Sequence, residues 1–269
     1  MQRLQPVVGD GPTGDRVGRP AEVAGGLVEA VGDIAIEAHI RQLGRYLVDR
    51  DPFQIKHFTH MAYTDFCSKR GAMDVYCAIS AIEQAMWDIA GKATGQPVYN
   101  LLGGPCRPRI RVYANGWGGG GSLDQLAKRA AAVVARGFTA LKFDPFPYPW
   151  RAYIDHAADC SAVERVRAVR EAVGEEVDIA FDCHWAFNTN DAIKLASRIE
   201  PYHVMWLEDP IPYENVDPLV KLTSSVRTPI CVGENYFRKF GFKDLIEKQA
   251  VDIVSPDISR LGGILEAFK

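Results

Sequence analysis

The chain has 269 residues, 47% hydrophobic and 24% charged, with a formal net charge of -3. That composition is globular, and the charge gives no reason to expect nucleic acid or an anionic membrane surface as partner. No apolar run approaches the ~20 residues needed to span a bilayer, and the N-terminus MQRLQPVVGDGPTGDR lacks the apolar core of a signal peptide. The six cysteines, Cys67, Cys77, Cys106, Cys160, Cys183 and Cys231, include no C-x-x-C pair. Several lie inside apolar runs, where a free Cys packs as a small hydrophobe. Reduced thiols in a cytoplasmic protein are therefore expected, not disulfides or zinc.

Residues 1–33 are rich in Gly and Pro without sustained periodicity and read as irregular. A helix is expected over about Ile34–Leu47. A stronger one is expected over about Met73–Lys92, where Val75, Ile79, Ile82, Met86 and Ile89 form an apolar stripe that Gly95 and Pro97 end. This stripe is read as core packing.

From Arg109 onward, short apolar runs alternate with helical stretches, the pattern of βα units. IRVYANGW (110–117) reads as a strand, followed by a helix over Leu123–Ala135. FTALKFD (138–144) is the next strand, with a helix over Ser161–Val173. VDIAFD (177–182), VMWLE (204–208) and PICVGE (229–234) precede helices near Asp191–Ile199, Val216–Thr223 and Phe242–Lys248. VDIVSPD (251–257) is the last strand, and another helix starts at Gly262 and Gly263. No G-x-G-x-x-G follows a strand, so a dinucleotide fold is poorly supported. GWGGGG (116–121) lacks the Lys and Ser/Thr of a phosphate loop and reads as a flexible loop over a cleft.

Asp182, Glu208 and Glu234 each close an apolar run, at equal steps of 26 residues. That step fits one strand, one helix and two short loops. If the strands are parallel neighbours, the three acids converge at the sheet's C-terminal edge. A single acid there merely caps the next helix; three in register suit a hard divalent cation, Mg²⁺ above all. Such a site at the C-terminal face fits a (β/α) barrel better than an open doubly wound sheet.

The segments AISAIEQAMWDIAGKATGQPVYNLLGG (78–104), RGFTALKFDPF (136–146), FDCHWAFN (181–188), WLEDPIP (206–212), TPICVGEN (228–235) and VSPDISRLGGI (254–264) resemble, in order and spacing, the enolase superfamily. The likeness is to its mandelate racemase subgroup, and most to acid-sugar dehydratases of the galactonate dehydratase type. The resemblance implies an α+β capping domain and a (β/α)7β barrel, here incomplete with about six strands. The capping part would be residues 1–105, although the antiparallel strands that usually open it are not evident in 1–33. The barrel part would be 106–269. It implies Asp182, Glu208 and Glu234 as Mg²⁺ ligands, and Asp257 as the aspartate that orients a catalytic histidine on the next strand. Where racemases of this kind carry K-x-K, this chain has Lys142-Phe143-Asp144, which argues against a two-base racemase.

Lys142 is expected to face the substrate carboxylate or the developing enolate. His184, in the D-x-H arrangement with Asp182, would protonate the departing hydroxyl. The implied reaction is dehydration of a sugar acid to a 2-keto-3-deoxy acid through an ene-diolate, by a protein that is a homo-oligomer at full length. No His follows Asp257, and the resemblance places the base some 25–30 residues beyond it. The chain thus reads as cut short, and as a free chain it is expected to be unstable or aggregation-prone. A racemase or epimerase on the same scaffold, and a fragment that binds Mg²⁺ and a carboxylate without turnover, are the alternatives.

Overall fold

The computed structural model describes residues 34–146, 154 and 156–269. The irregular reading of residues 1–33 therefore lies outside the described residues. The described residues open on a helix over 34–43 (α1), ended by a 3-10 turn at Gly44–Tyr46, and continue into α2 (Ile55–Asp65), α3 (Met73–Thr94) and α4 (Val98–Leu101). α2 has no counterpart among the predicted elements. Its buried side chains, Ile55, Phe58 and Ala62, are too few and too mixed with His and Thr to make a clear stripe. On α3 the expected stripe is buried at Val75, Ile79, Ile82 and Met86, while Ile89 is exposed. α3 ends where Gly95 takes φ +68°, a left-handed turn that costs glycine little.

The βα part follows as α5 (Leu123–Ala135), β1 (Ala140–Phe143), α6 (His156–Val173), β2 (Asp178–Asp182), α7 (Thr189–Ile199), β3 (Trp206–Glu208), α8 (Val216–Ser225), β4 (Ile230–Val232), α9 (Arg238–Glu247), β5 (Ile253–Val254) and α10 (Ile264–Ala267). Three of these helices start where the sequence supplies a side-chain cap. Ser122 and Gln125 form a capping box on α5, and Asn188 and Asn215 accept from the first turns of α7 and α8. The strands pair in parallel in the order β1-β2-β3-β4-β5. A sheet built in strict chain order never reverses direction. It has no topological switch point and winds as the wall of a (β/α) barrel, not as a doubly wound sheet. Its strands bury apolar residues, with Leu141, Ile179, Phe181, Leu207 and Ile230 fully buried.

One expected strand is not formed. Residues 110–117 pair with the sheet through the backbone only at Ala114, whose N–H donates to Ala140 O (2.9 Å) and whose carbonyl accepts from Lys142 N–H (2.8 Å). Ile110 and Val112 stand exposed, so no burial offsets the entropy of ordering a longer ladder.

A second buried cluster, around Phe58, Val75, Ile79, Ile82 and Met86, belongs to α2 and α3. Fully buried Glu83 ties α3 to the start of α10. Its carboxylate accepts from Trp87 Nε1 (2.8 Å) and from the N–H groups of Ile264 and Leu265 (2.9 Å each), the unsatisfied donors that open α10. Ser80 Oγ accepts from Gly262 N–H (2.9 Å). Gly263 has φ +96°, and a Cβ there would meet Glu83 Oε2 at 2.5 Å. Glu83→Ala strips three donors of their acceptor and is expected to destabilise the fold by about 2–4 kcal/mol. Glu83→Gln should cost less, since one oxygen still accepts. Urea unfolding followed by tryptophan fluorescence would read both, and an unchanged midpoint in the Ala variant would rule out this coupling.

Candidate functional site

Parallel register turns the even spacing of the acids into a cluster. Lys142 pairs across β1–β2 with Ala180, and Asp182 pairs across β2–β3 with Glu208. Side chains two apart on a strand share a face, so Lys142, Asp182 and Glu208 emerge on the same side of the sheet at its C-terminal edge. Glu234 lies two residues past the end of β4. Gly233 before it has no room for a side chain, because a Cβ there would lie 2.6 Å from the Ser255 carbonyl. Close approach of the β4 and β5 ends thus requires the glycine that brings Glu234 into the cluster.

Lys142 Nζ bonds Asp182 Oδ2 at 3.0 Å and makes a shorter bond to Glu208 Oε1, with all three side chains at most 10% exposed. Burial alone would lower the lysine's pKa. The two carboxylates outweigh it and hold the ammonium charged, well above its ordinary range. The other oxygen of Glu208 accepts from Trp206 Nε1 (2.8 Å). Glu234 is pushed up by burial and by its acidic neighbours Asp182 and Glu208, against the opposing charges of Arg260, 3.7 Å away, and Lys142.

The sequence reading missed Asp209. It sits beside Glu208 in a left-handed conformation (φ +42°), 2% exposed, and its buried Oδ1 has no hydrogen-bond partner. Burial, and then the charges of Glu234, Glu208 and Asp182, push its pKa up to about 8. Its oxygen, with those of Glu208 and Glu234, falls in a group lying within 4.8 Å of one another. Asp182 contacts Lys142 and His184 and stands outside that tight group. The only signal for Asp209 in the sequence was its place next to Glu208 in WLEDPIP. These acids form a cluster that can hold a metal ion. The donors are all oxygen, which fits a hard divalent cation, and the orphaned Asp209 Oδ1 is a ready ligand atom.

His184, also left-handed at φ +48°, places Nδ1 3.0 Å from Asp144 Oδ2 and 3.2 Å from Asp182 Oδ1. Asp257 lies three residues past β5. Its Oδ2 is 3.3 Å from Arg260 Nε, and its Oδ1 accepts from Ser259 N–H (2.8 Å). The structure thus brings Lys142, Asp182, His184, Glu208 and Glu234 to one edge, with Asp257 linked to them through Arg260. The glycine-rich loop 116–121 is tied down, not loose. Arg129 takes the carbonyls of Trp117 (3.0 Å), Gly119 and Gly120 (2.8 Å), Arg165 takes that of Gly121 (3.2 Å), and Gly118 packs where a Cβ would strike Phe143 at 2.5 Å.

Residues 125–269 match the model described as Enolase C-terminal domain-like, and residues 17–103 match that of the mandelate racemase/muconate lactonizing enzyme N-terminal domain. The chain belongs to the mandelate racemase/muconate lactonizing enzyme family of the enolase superfamily. Among curated relatives it is 41% identical to a D-xylonate dehydratase of Haloferax volcanii, over 88% of this chain and 59% of that protein. It is 36% identical to a D-gluconate dehydratase of Thermoproteus tenax (91% and 49%) and 34% identical to a D-galactonate dehydratase of Ralstonia pickettii (87% and 60%). The chain therefore spans about half to three fifths of the length of these relatives. A mandelate racemase/muconate lactonizing enzyme-like protein from Rubrobacter xylanophilus superposes with TM-score 0.78 at 36% identity, over 87% of this chain and 65% of that one. The 3,6-anhydro-D-galactonate cycloisomerase of Zobellia galactanivorans superposes with TM-score 0.79 at 29% identity (87% and 63%). Among the described residues no helix is long and apolar enough to cross a membrane.

The raised pKa of Asp209 makes a prediction about stability. Between the ordinary value of 3.8 and about 8, the folded chain keeps a proton that the unfolded chain has released. Stability of the metal-free protein therefore falls as pH rises through that window, with a slope of at most about 1.4 kcal/mol per pH unit from this group. Asp209→Asn should flatten the slope and be more stable than the parent toward pH 8. Urea midpoints at pH 5, 6, 7 and 8 in EDTA would show it, and parallel profiles for the two proteins would refute it.

Proposed function

We propose that the chain carries the metal-binding centre of a Mg²⁺-dependent sugar-acid dehydratase, acting on an aldonic or aldaric acid to give a 2-keto-3-deoxy acid. The observation that carries this reading is the cluster itself: acids from adjacent strand ends, with a charged lysine and a histidine beside them. The relatives named D-xylonate, D-gluconate and D-galactonate dehydratase support the substrate class. In this proposal residues 1–105 are the capping part and 106–269 the barrel part. The protein works in the cytoplasm on a small-molecule substrate and assembles as a homo-oligomer.

Asp182, Glu208 and Glu234 would hold the Mg²⁺, with Asp209 beside them. When bound, the ion supplies Lewis-acid polarisation of the substrate carboxylate, which makes the C2 proton removable. Lys142 places a fixed positive charge where the ene-diolate develops its negative charge. His184 donates a proton to the 3-hydroxyl, which leaves as water, and the resulting enol tautomerises to the 2-keto acid. Asp257 is assigned to orient the base that takes the C2 proton. The base itself is not assigned among the residues of this sequence. Asp144 in place of a second lysine disfavours racemisation on this scaffold.

The test is formation of 2-keto-3-deoxy acids from a panel of aldonic and aldaric acids, with MgCl₂ and with EDTA. Turnover should require the divalent ion, and His184→Asn should lower kcat by about a hundred- to ten-thousand-fold. Glu208→Gln should also abolish the rise in Tm that Mg²⁺ gives the parent protein, because an ion that binds only the folded state stabilises it. Turnover that survives both substitutions would sink the mechanism. A Mg²⁺-induced Tm shift that Glu208→Gln leaves intact would sink the ligand assignment.

A further inference from the structure

Asp144 follows directly on β1, and its side chain is 16% exposed. It has no part in the function proposed above beyond standing where a second lysine is missing. Its Oδ1 accepts from Phe146 N–H (2.8 Å), which fixes the carboxylate. Its charge also acts on the half-buried guanidinium of Arg165, one of the two arginines that hold the glycine-rich loop. Its Oδ2 lies 3.0 Å from His184 Nδ1.

The His184 backbone is pinned from several sides. Its main-chain N–H donates to Asp182 Oδ1 (3.2 Å). The backbone on either side is hung from the next strand end, by Cys183 N–H to Glu208 O (3.0 Å) and Trp185 N–H to Asp209 O (2.6 Å). The Trp185 ring stands edge-on to the imidazole at 6.0 Å. His184 and Trp185 are both left-handed, an unfavourable pair of conformations that this backbone network holds in place. Nδ1 is buried, and neither carboxylate oxygen is aligned with it for a hydrogen bond here, although both are within reach. A ring nitrogen facing two carboxylate oxygens must carry the hydrogen, because a bare lone pair there would be repelled.

We propose that Asp144 is the positioning residue of His184, holding the imidazole with hydrogen on Nδ1 and so presenting Nε2 to the substrate. The mechanistic half of this inference rests on the reading of His184 as the proton donor; the tautomer does not. As the proton donor the ring is an imidazolium with hydrogen on both nitrogens; with Nδ1–H engaged by Asp144, the proton given to the leaving hydroxyl is the one on Nε2, and the ring is left neutral with hydrogen on Nδ1. Asp182, drawn at the same time toward Lys142, is left a weaker partner for the ring.

Two variants test it. Asp144→Ala removes the acceptor, and Asp144→Asn keeps an oxygen that can accept the same hydrogen. The direct readout is the ¹⁵N spectrum of protein labelled at histidine, with the His184 signals identified by their loss in His184→Asn. The parent protein should show hydrogen on Nδ1, Asp144→Asn should keep it there, and Asp144→Ala should shift the population toward hydrogen on Nε2. In turnover, Asp144→Ala should lower kcat about 10–100-fold with KM nearly unchanged, and Asp144→Asn should recover much of the loss. A His184 spectrum identical in the parent and in Asp144→Ala overturns the inference, as does an Asn variant no better than Ala in both readouts. If His184→Asn turns over normally while the ¹⁵N result holds, the donor role fails and the positioning by Asp144 stands.

Discussion

The buried lysine between two carboxylates is the interaction on which the rest of the site depends. Asp182 and Glu208 face each other in register across β2 and β3, in a setting almost closed to water. Two like charges so placed would repel strongly at low dielectric. Lys142, projecting from β1 on the same face, touches both. The parallel ladder sets this geometry, because only a sheet assembled strand by strand in chain order brings successive strand ends to one edge. The buried apolar strand centres hold the ladder, and the charged ends follow from it. Gly233 serves the same end at β4, by letting Ser255 approach closely enough for Glu234 to join.

Much of this was legible because the chemistry is periodic. Three acids at steps of 26 residues can share an edge only if each step is one βα unit, and the strands over Ala140–Phe143, Asp178–Asp182, Trp206–Glu208 and Ile230–Val232 lie inside the predicted runs. What was not legible is what depends on three-dimensional neighbours. The run at 110–117 has a strand's composition, yet only Ala114 is bridged, since strand propensity reflects burial that Ile110 and Val112 lack. α2 was missed because its buried face is short. Glu83 looked like one more polar residue on a helix, and its task of capping α10 from 181 residues away leaves no local trace. Asp209 and Asp144 escaped for a related reason. An acid's burial and its partner are tertiary facts, and Asp144 was weighed only for what it could not do as a base.

The fold also links the helical unit to the site. Glu83 and Ser80 hold the segment Gly262–Leu265, and a few residues before it Arg260 contacts both Asp257 and Glu234. A shift of α3 relative to the sheet would therefore be felt at Arg260, and through it at the least buried acid of the cluster. Strap-like contacts at the other end serve a similar purpose. Arg129 and Arg165 bind the carbonyls of the glycine-rich loop, so that it packs against Phe143, the residue between Lys142 and Asp144. Both ends of the cluster are thus braced by elements outside the sheet.

Charge balance explains why Asp209 behaves unlike its neighbours. Asp182, Glu208, Asp209 and Glu234 would bring four negative charges to one edge, against Lys142 and an Arg260 that is shared with Asp257. Burying uncompensated charge is costly, and the group with no hydrogen bond on its inner oxygen yields first. Asp209, 2% exposed and with Oδ1 unpartnered, is that group, and taking up a proton lowers the excess by one charge. A divalent cation would offset two charges and would give Asp209 Oδ1 a partner at the same time. The proton on Asp209 and a divalent ion are therefore competing answers to one electrostatic deficit. Binding of the ion should release that proton, so affinity for the ion should rise with pH until Asp209 is ionised on its own.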